Sequence, residues 1–365
     1  MRQLILEATQ KKVDLFDNQN IAKVLSIARN PIEYQMTPTS GAHFGDDKVQ
    51  NNFNMGIVNY MQSAFLKKQL SNYFNESWSW SRFNGEALYY DLRMNPENRK
   101  KANKTDDFTN LAFYKYYPDS GILVSRPSDK FKVDGLAATI KYFGGSDEVG
   151  GGHNHDEVGA YVISANGLIV AGDVGVQSYD GDSFDKTKRF SNGRANSFGH
   201  PVPYINGQVQ KRSWLIEKSR SFILEKNKLN DNGVDRIVYD MKRAYDDKNI
   251  VSINRIYEYT RIPNKQKVNI TDKVIFSKVS DFDVAMTSLG DWIENSTKKS
   301  GRFSYTPKYN EEVKTTQSIN VEIQSDHNFT LHNETLKNTI DFKYTRVGIT
   351  LKNITSAWIS VIYSN

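Results

Sequence analysis

Three of the six histidines in this chain of 365 residues fall close together, with a carboxylate between them. They occur in Gly151-Gly152-His153-Asn154-His155-Asp156-Glu157-Val158-Gly159, then in Ala171-Gly172-Asp173-Val174-Gly175, then in Phe198-Gly199-His200-Pro201-Val202-Pro203. Imidazole titrates near neutrality and also binds metal ions, so such a group suits proton transfer, metal ligation or both. His153 and His155 stand at i and i+2, and in an extended strand both would project from one face toward a common ligand. The plain alternative is a polar, glycine-rich turn that carries two surface histidines.

Composition narrows the chemistry. There are no cysteines, so disulfides and thiolate ligands are excluded and any metal must be held by histidine and carboxylate. The formal net charge of +6 favours an anionic partner or a solvated basic surface. No apolar run approaches the roughly 18 residues of a membrane-spanning helix. Glu7 interrupts the first apolar stretch, Leu4-Ile5-Leu6, so no signal peptide is expected in the chain as it stands.

The elements that must position these residues change character along the chain. Over residues 1–105, Leu4, Ile5, Ala8, then Ile21, Val24, Leu25, Ala28, then Ile57, Met61, Ala64, Phe65 recur at three-to-four spacing and predict several helices. Thr37 to Asp47 is turn-rich and reads as a connection between them. From about Leu111 the pattern shifts to short runs rich in Tyr, Phe, Val and Ile. Phe113 to Tyr117 and Ile122 to Val124, joined by Pro118-Asp119-Ser120-Gly121, predict a hairpin. Further strands are expected at 137–143, 160–163, 168–171, 219–224, 235–241, 251–259, 274–276 and 358–363. The expected fold is α+β and multidomain: a helical segment over 1–105, then a large antiparallel β-sandwich over 106–365.

Phe143-Gly144-Gly145-Ser146, the Gly-His-Asn-His-Asp run, Asp173-Val174-Gly175, Lys188-Arg189-Phe190 and His200-Pro201-Val202-Pro203-Tyr204-Ile205-Asn206-Gly207-Gln208-Val209-Gln210 together resemble the heparinase II/III-like polysaccharide lyases. The resemblance runs from about Tyr116 to Gln210. It implies that residues 1–105 are the end of an α/α toroid, with Phe44-Gly45-Asp46 near its last turn, and that the rest is the family's sandwich. It further implies a catalytic, cleft-facing His153, and a structural zinc held by His155, Asp173 and His200. Arg189 and Lys188 are candidates for holding substrate carboxylate or sulfate, with a solvated turn as their plainer role. Members of the family are usually periplasmic or secreted. The family's catalytic tyrosine and its asparagine–histidine pair come from toroid helices further upstream, and neither Tyr34 nor Tyr60 sits in a matching motif. Where the family often has a tyrosine, this chain has Phe190.

The implied reaction is β-elimination on a uronate-containing, acidic polysaccharide. A base removes the C5 proton and an acid protonates the glycosidic oxygen leaving C4. The alternative is a non-catalytic carbohydrate-binding or structural sandwich that has kept the fold alone. Self-association, or completion by an upstream toroid segment, would cover an otherwise open helical flank. A nuclease built on His-Asn-His is excluded, because such nucleases disperse these residues over a ββα unit, and no nucleic-acid partner is expected. His43 beside Asp46 and Asp47 reads as a polar turn, and His327 and His332 as surface residues. Trp78, Trp80, Tyr89 and Tyr90 suit either sugar stacking or packing.

Overall fold

Alternating apolar residues build several strands of the larger sheet. In Gln317–Ser325 the side chains of Ile319, Val321 and Ile323 are buried, while Ser318, Asn320, Glu322 and Gln324 between them face solvent. The computed structural model describes residues 8–10, 12, 35–37, 40, 41, 44, 45, 113–117, 121–128, 134–142, 153–175, 179, 181–185, 188–191, 193, 195–212, 223–225, 233–297, 299–307, 315–339 and 342–365.

Two short strands, β1 (Gln35–Thr37) and β2 (Ser40–Gly41), pair with each other. A five-stranded antiparallel sheet follows in chain order: β3 (Tyr114–Tyr117), β4 (Ile122–Ser125), β5 (Leu136–Lys141), β6 (Tyr161–Ala165) and β7 (Leu168–Gly172). The remaining strands form a ten-stranded sheet. They are β8 (Pro203–Ile205), β9 (Ile223–Glu225), β10 (Val234–Asp240), β11 (Ile250–Thr260), β12 (Lys267–Ser288), β13 (Asp291–Glu294), β14 (Ser300–Tyr305), β15 (Gln317–Ser325), β16 (Thr330–Thr339) and β17 (Phe342–Ser364). Its order is β13-β14-β15-β17-β12-β11-β10-β9, with β16 also on β17 and β8 also on β12. One apolar core draws on both sheets, from Leu136, Ile140 and Ile163 on one side to Tyr257, Ile270, Ile349 and Val361 on the other. The sheets are also tied by polar contacts: Tyr161 Oη lies 2.6 Å from Tyr363 Oη, and Tyr259 Oη donates to Leu136 O at 2.5 Å. This is an antiparallel sandwich.

The expected hairpin is present, with Tyr117 opposite Ile122. Two expected strands prove much longer. The run at 274–276 is the middle of β12, with 22 residues, and the run at 358–363 is the end of β17, with 23. Lys, Asp and Ser interrupt their apolar alternation, and irregular pairing between Ile275 and Phe282 bends the ladder there. Each strand therefore serves two neighbourhoods.

The chain divides into two compact units. One is Met1–Gln35 with Asn52–Leu111 and Asp129–Phe131; the other is Met36–Asn51 with Ala112–Ser128 and Lys132–Asn365, and it holds both large sheets. The helices expected over 1–105 lie almost wholly outside the described residues, as do residues 219–222 of an expected strand. No helix among the described residues is long and apolar enough to cross a membrane.

Candidate functional site

The loop from His153 to Ala160 leads into β6, and it is not extended. His153 sits in a tight helical turn and is exposed, whereas His155 is completely buried. The two imidazoles therefore do not share a face, which corrects the expectation from their i, i+2 spacing: that rule belongs to strands, and this segment is a loop.

Four anchors hold the loop. Gly45, with φ +68°, packs against it so tightly that an added Cβ would stand 2.4 Å from His153 O. Only glycine satisfies both that dihedral and that approach. Gln210 clamps the next turn, accepting the Val158 N–H and donating to Val158 O, each at 2.9 Å. Arg212 donates to Asp156 Oδ2 at 2.7 Å while its guanidinium lies 4.1 Å from the Phe190 ring centroid. From β11, fully buried Arg255 donates through Nη1 to Gly159 O and Pro201 O, and grips Asp272 with Nε and Nη2, both at 2.7 Å. Phe190 is itself buried beneath Arg212, so the missing hydroxyl is not at an exposed position.

His155, two residues on from exposed His153, belongs to a buried cluster. His155, Glu157 and His200 bring potential ligand atoms within 4.8 Å of one another. Asp173 Oδ2 is 2.9 Å from His200 Nδ1, and Asp173 Oδ1 accepts the Gly175 N–H at 2.8 Å. Glu157 Oε2 stands 3.6 Å from the same His200 Nδ1, so both carboxylates converge on one imidazole nitrogen. Glu157 Oε1 accepts from Lys141 Nζ at 2.7 Å, while Glu157 Oε2 accepts no hydrogen bond from the described residues. Burial pushes the Glu157 carboxyl up to about 8, helped by the nearby Asp173 and opposed by Lys141. Burial alone would also raise Asp173, but His200 outweighs it and holds that carboxyl well below the ordinary range. The sequence points to His155, Asp173 and His200 but not to Glu157, although the spacing His155-Asp156-Glu157 offers the signal.

Around His153 the structure adds an exposed aromatic pair. Tyr179 Oη lies 3.3 Å from His153 Nδ1, and the Phe184 ring meets the imidazole edge-on with centroids 5.4 Å apart. Tyr179 and Phe184 are 48% and 52% exposed, high for large aromatic groups and suited to contact with a ligand. Neither carries a sequence signal, since Tyr179 and Phe184 stand singly among Ser and Asp. Arg189 is not on a solvated turn. It is 3% exposed, and its Nη1 and Nη2 donate to Ser183 O and Asn154 O, tying the aromatic turn to the His153 loop. Lys188 is exposed and reaches Asp182 at 3.3 Å. His327 and His332 are exposed. Tyr34, His43, Asp46, Asp47, Tyr60, Trp78, Trp80, Tyr89 and Tyr90 lie outside the described residues.

No protein-family model and no curated protein matches the chain. Solved structures do. A heparinase III gene product matches with TM-score 0.59 and 14% identity over 91% of this chain and 45% of its own. A mutant of the heparan sulfate lyase HepC from Pedobacter heparinus matches with TM-score 0.62 and 13% identity, covering 95% of this chain and 47% of that one. A further heparinase III structure gives 0.59 and 14%, covering 99% and 51%. The fold is therefore that of the heparinase III structures, and the chain spans about half the length of the structures it matches.

Proposed function

We propose that this chain is part of a polysaccharide lyase that cleaves uronate-containing glycans by β-elimination, with His153 in direct contact with substrate. The observation that carries the reading is the pairing of an exposed His153 with Tyr179, on a loop that also supplies His155 and Glu157 to a buried His/carboxylate cluster. To take the C5 proton, His153 needs a free lone pair on Nε2. Nδ1 must then carry the hydrogen and donate it to the Tyr179 oxygen, which orients the ring. The C5–H electron pair becomes the C4=C5 double bond as the C4–O bond breaks, and an acid protonates the departing oxygen. Exposed Phe184 offers a ring to the apolar face of a sugar.

The buried cluster supports a zinc ion. Its donors are nitrogen and carboxylate oxygen, and Glu157 Oε2 is a buried oxygen with no hydrogen-bond donor among the described residues. His155, Asp173 and His200 would hold the ion, with Glu157 as a fourth donor. When bound, the ion supplies charge neutralisation and rigidity to the loop that presents His153.

The test is absorbance of the unsaturated uronate on incubation with heparan sulfate, alginate and other uronate-containing glycans. Under the proposal, absorbance grows with one or more of them, using either this chain or a version extended upstream, and it vanishes in His153→Ala. Retention of glycan without any double bond, in both forms, supports the non-catalytic sandwich instead.

A further inference from the structure

The far halves of β12 and β17 build a second concave site. There the large sheet runs β16-β17-β12-β8, and its register sets Glu334 opposite Arg346, His332 opposite Gly348, and Asp283 opposite both Thr350 and Tyr204. Because side chains alternate, Phe282, Val284, Val347, Ile349 and Leu351 enter the core, and the residues between them face outward. The outward residues line a cavity of about 230 Å³, walled by Phe198 and Tyr204.

The cavity is organised around Arg346, which is 3% exposed. Its Nε donates to Phe198 O at 2.9 Å, Nη1 to Glu334 Oε1 at 2.7 Å and Nη2 to Asp283 Oδ1 at 2.5 Å. The guanidinium lies 4.2 Å from the Phe198 ring centroid, and Phe198 meets Tyr204 edge-on. Gly348 leaves the room for this arrangement, since a Cβ there would stand 2.8 Å from Asp283 Oδ2 and 2.9 Å from Arg346 Nη1. The remaining polar capacity is mainly acceptor. Glu334 Oε2 accepts no hydrogen bond from the described residues, and Asp283 Oδ2 accepts only from Thr350, at 2.6 Å. Three carboxylates, Asp281, Asp283 and Glu334, face two fixed cations, Arg346 and Lys352, leaving one negative charge when His332 is neutral.

We propose that this pocket binds a single neutral pyranose ring, with Glu334 and Asp283 accepting from vicinal hydroxyls and the Phe198–Tyr204 wall meeting the sugar's C–H face. Donor-rich hydroxyls match the partly buried acceptors Glu334 and Asp283, whereas a sulfate or uronate would meet net negative charge. The volume lies below the ~300–1,000 Å³ of drug-sized pockets, which suits one ring. None of these side chains belongs to the His153 site, so the proposal stands whether or not the chain is a lyase.

The experiment is saturation-transfer NMR on the full chain with methyl β-glucoside and N-acetylglucosamine, using a heparin tetrasaccharide as counter-probe. At least one neutral sugar should receive saturation, and the heparin tetrasaccharide should not displace it. Glu334→Gln should weaken binding about tenfold by replacing an acceptor with a donor. Gly348→Ala should abolish binding by crowding Asp283 and Arg346, and His153→Ala should leave it unchanged. Should Gly348→Ala not fold, Glu334→Gln decides, because Glu334 is only partly buried. Absence of transfer from both neutral sugars, or equal affinity in folded Glu334→Gln, overturns the proposal. Displacement by the heparin tetrasaccharide overturns its claim of neutrality.

Discussion

Removing the His153 side chain takes almost nothing from the packed interior, because the imidazole is exposed and its described neighbours include the equally open Tyr179 and Phe184. His153→Ala should therefore unfold within about 0.5 kcal/mol of the parent, while any elimination rate falls about 10²- to 10⁴-fold, the usual worth of a general acid or base. Tyr179→Phe separates positioning from packing: it keeps the ring against Phe184 and loses the oxygen that faces His153 Nδ1. Its expected signature is a moved pH–rate profile with an unchanged melting point, and a profile that superimposes on the parent's would remove Tyr179 from the mechanism. At this scale the sequence is legible in part. The motifs show that His153, His155, Asp173 and His200 belong together, but not which imidazole faces out. That depends on the turn at His153, on Gly45 packed beneath it from a distant segment, and on Gln210 gripping Val158. None of these contacts is local.

The site loops are held by strands, and Arg255 shows how. It reaches from β11 to Asp272 on β12, and it donates as well to the backbone at Gly159 and Pro201, where two site loops end. Both partners are fully buried, so truncating the arginine leaves a carboxylate with no counter-charge in a dry interior. Arg255→Ala should cost about 3–5 kcal/mol in urea unfolding. A loss below about 1 kcal/mol would mean that water reaches Asp272 and that the arginine does not brace the loops. The alternating β-runs make most strands visible in sequence, and the hairpin at Tyr117 and Ile122 is the clearest. The full lengths of β12 and β17 are not visible. Their polar residues fall where the register shifts or where one face meets solvent, and a pattern rule reads such breaks as strand ends. The sugar pocket sits on those extensions, so no sequence pattern points to it.

For the molecule as a whole, the question is what stabilises a sandwich with a buried cluster of two imidazoles and two carboxylates. Asp173 is held well below the ordinary carboxylate range, and Lys141 reaches the first oxygen of Glu157 but not the second. A divalent ion bound only by the folded state would relieve the remaining cost and add stability by mass action, about 2.7 kcal/mol at a hundredfold excess over its Kd. For a unit of this size that corresponds to a rise of roughly 5–10 °C in Tm. Protein purified without chelator should thus carry close to one zinc, lose that many degrees on exhaustive chelation, and regain them when zinc is restored. His155→Ala should abolish the zinc-dependent increment while His153→Ala retains it, which distinguishes the buried imidazole from its exposed neighbour. A metal content below about 0.2 equivalents, for a site of one-to-one stoichiometry, together with a melting point indifferent to chelator, would show that the cluster is held by its own proton and ion pair. In that case Lys141, Glu157 and Asp173 would form a metal-free buried network, and its rigidity rather than an ion would hold His153 in place.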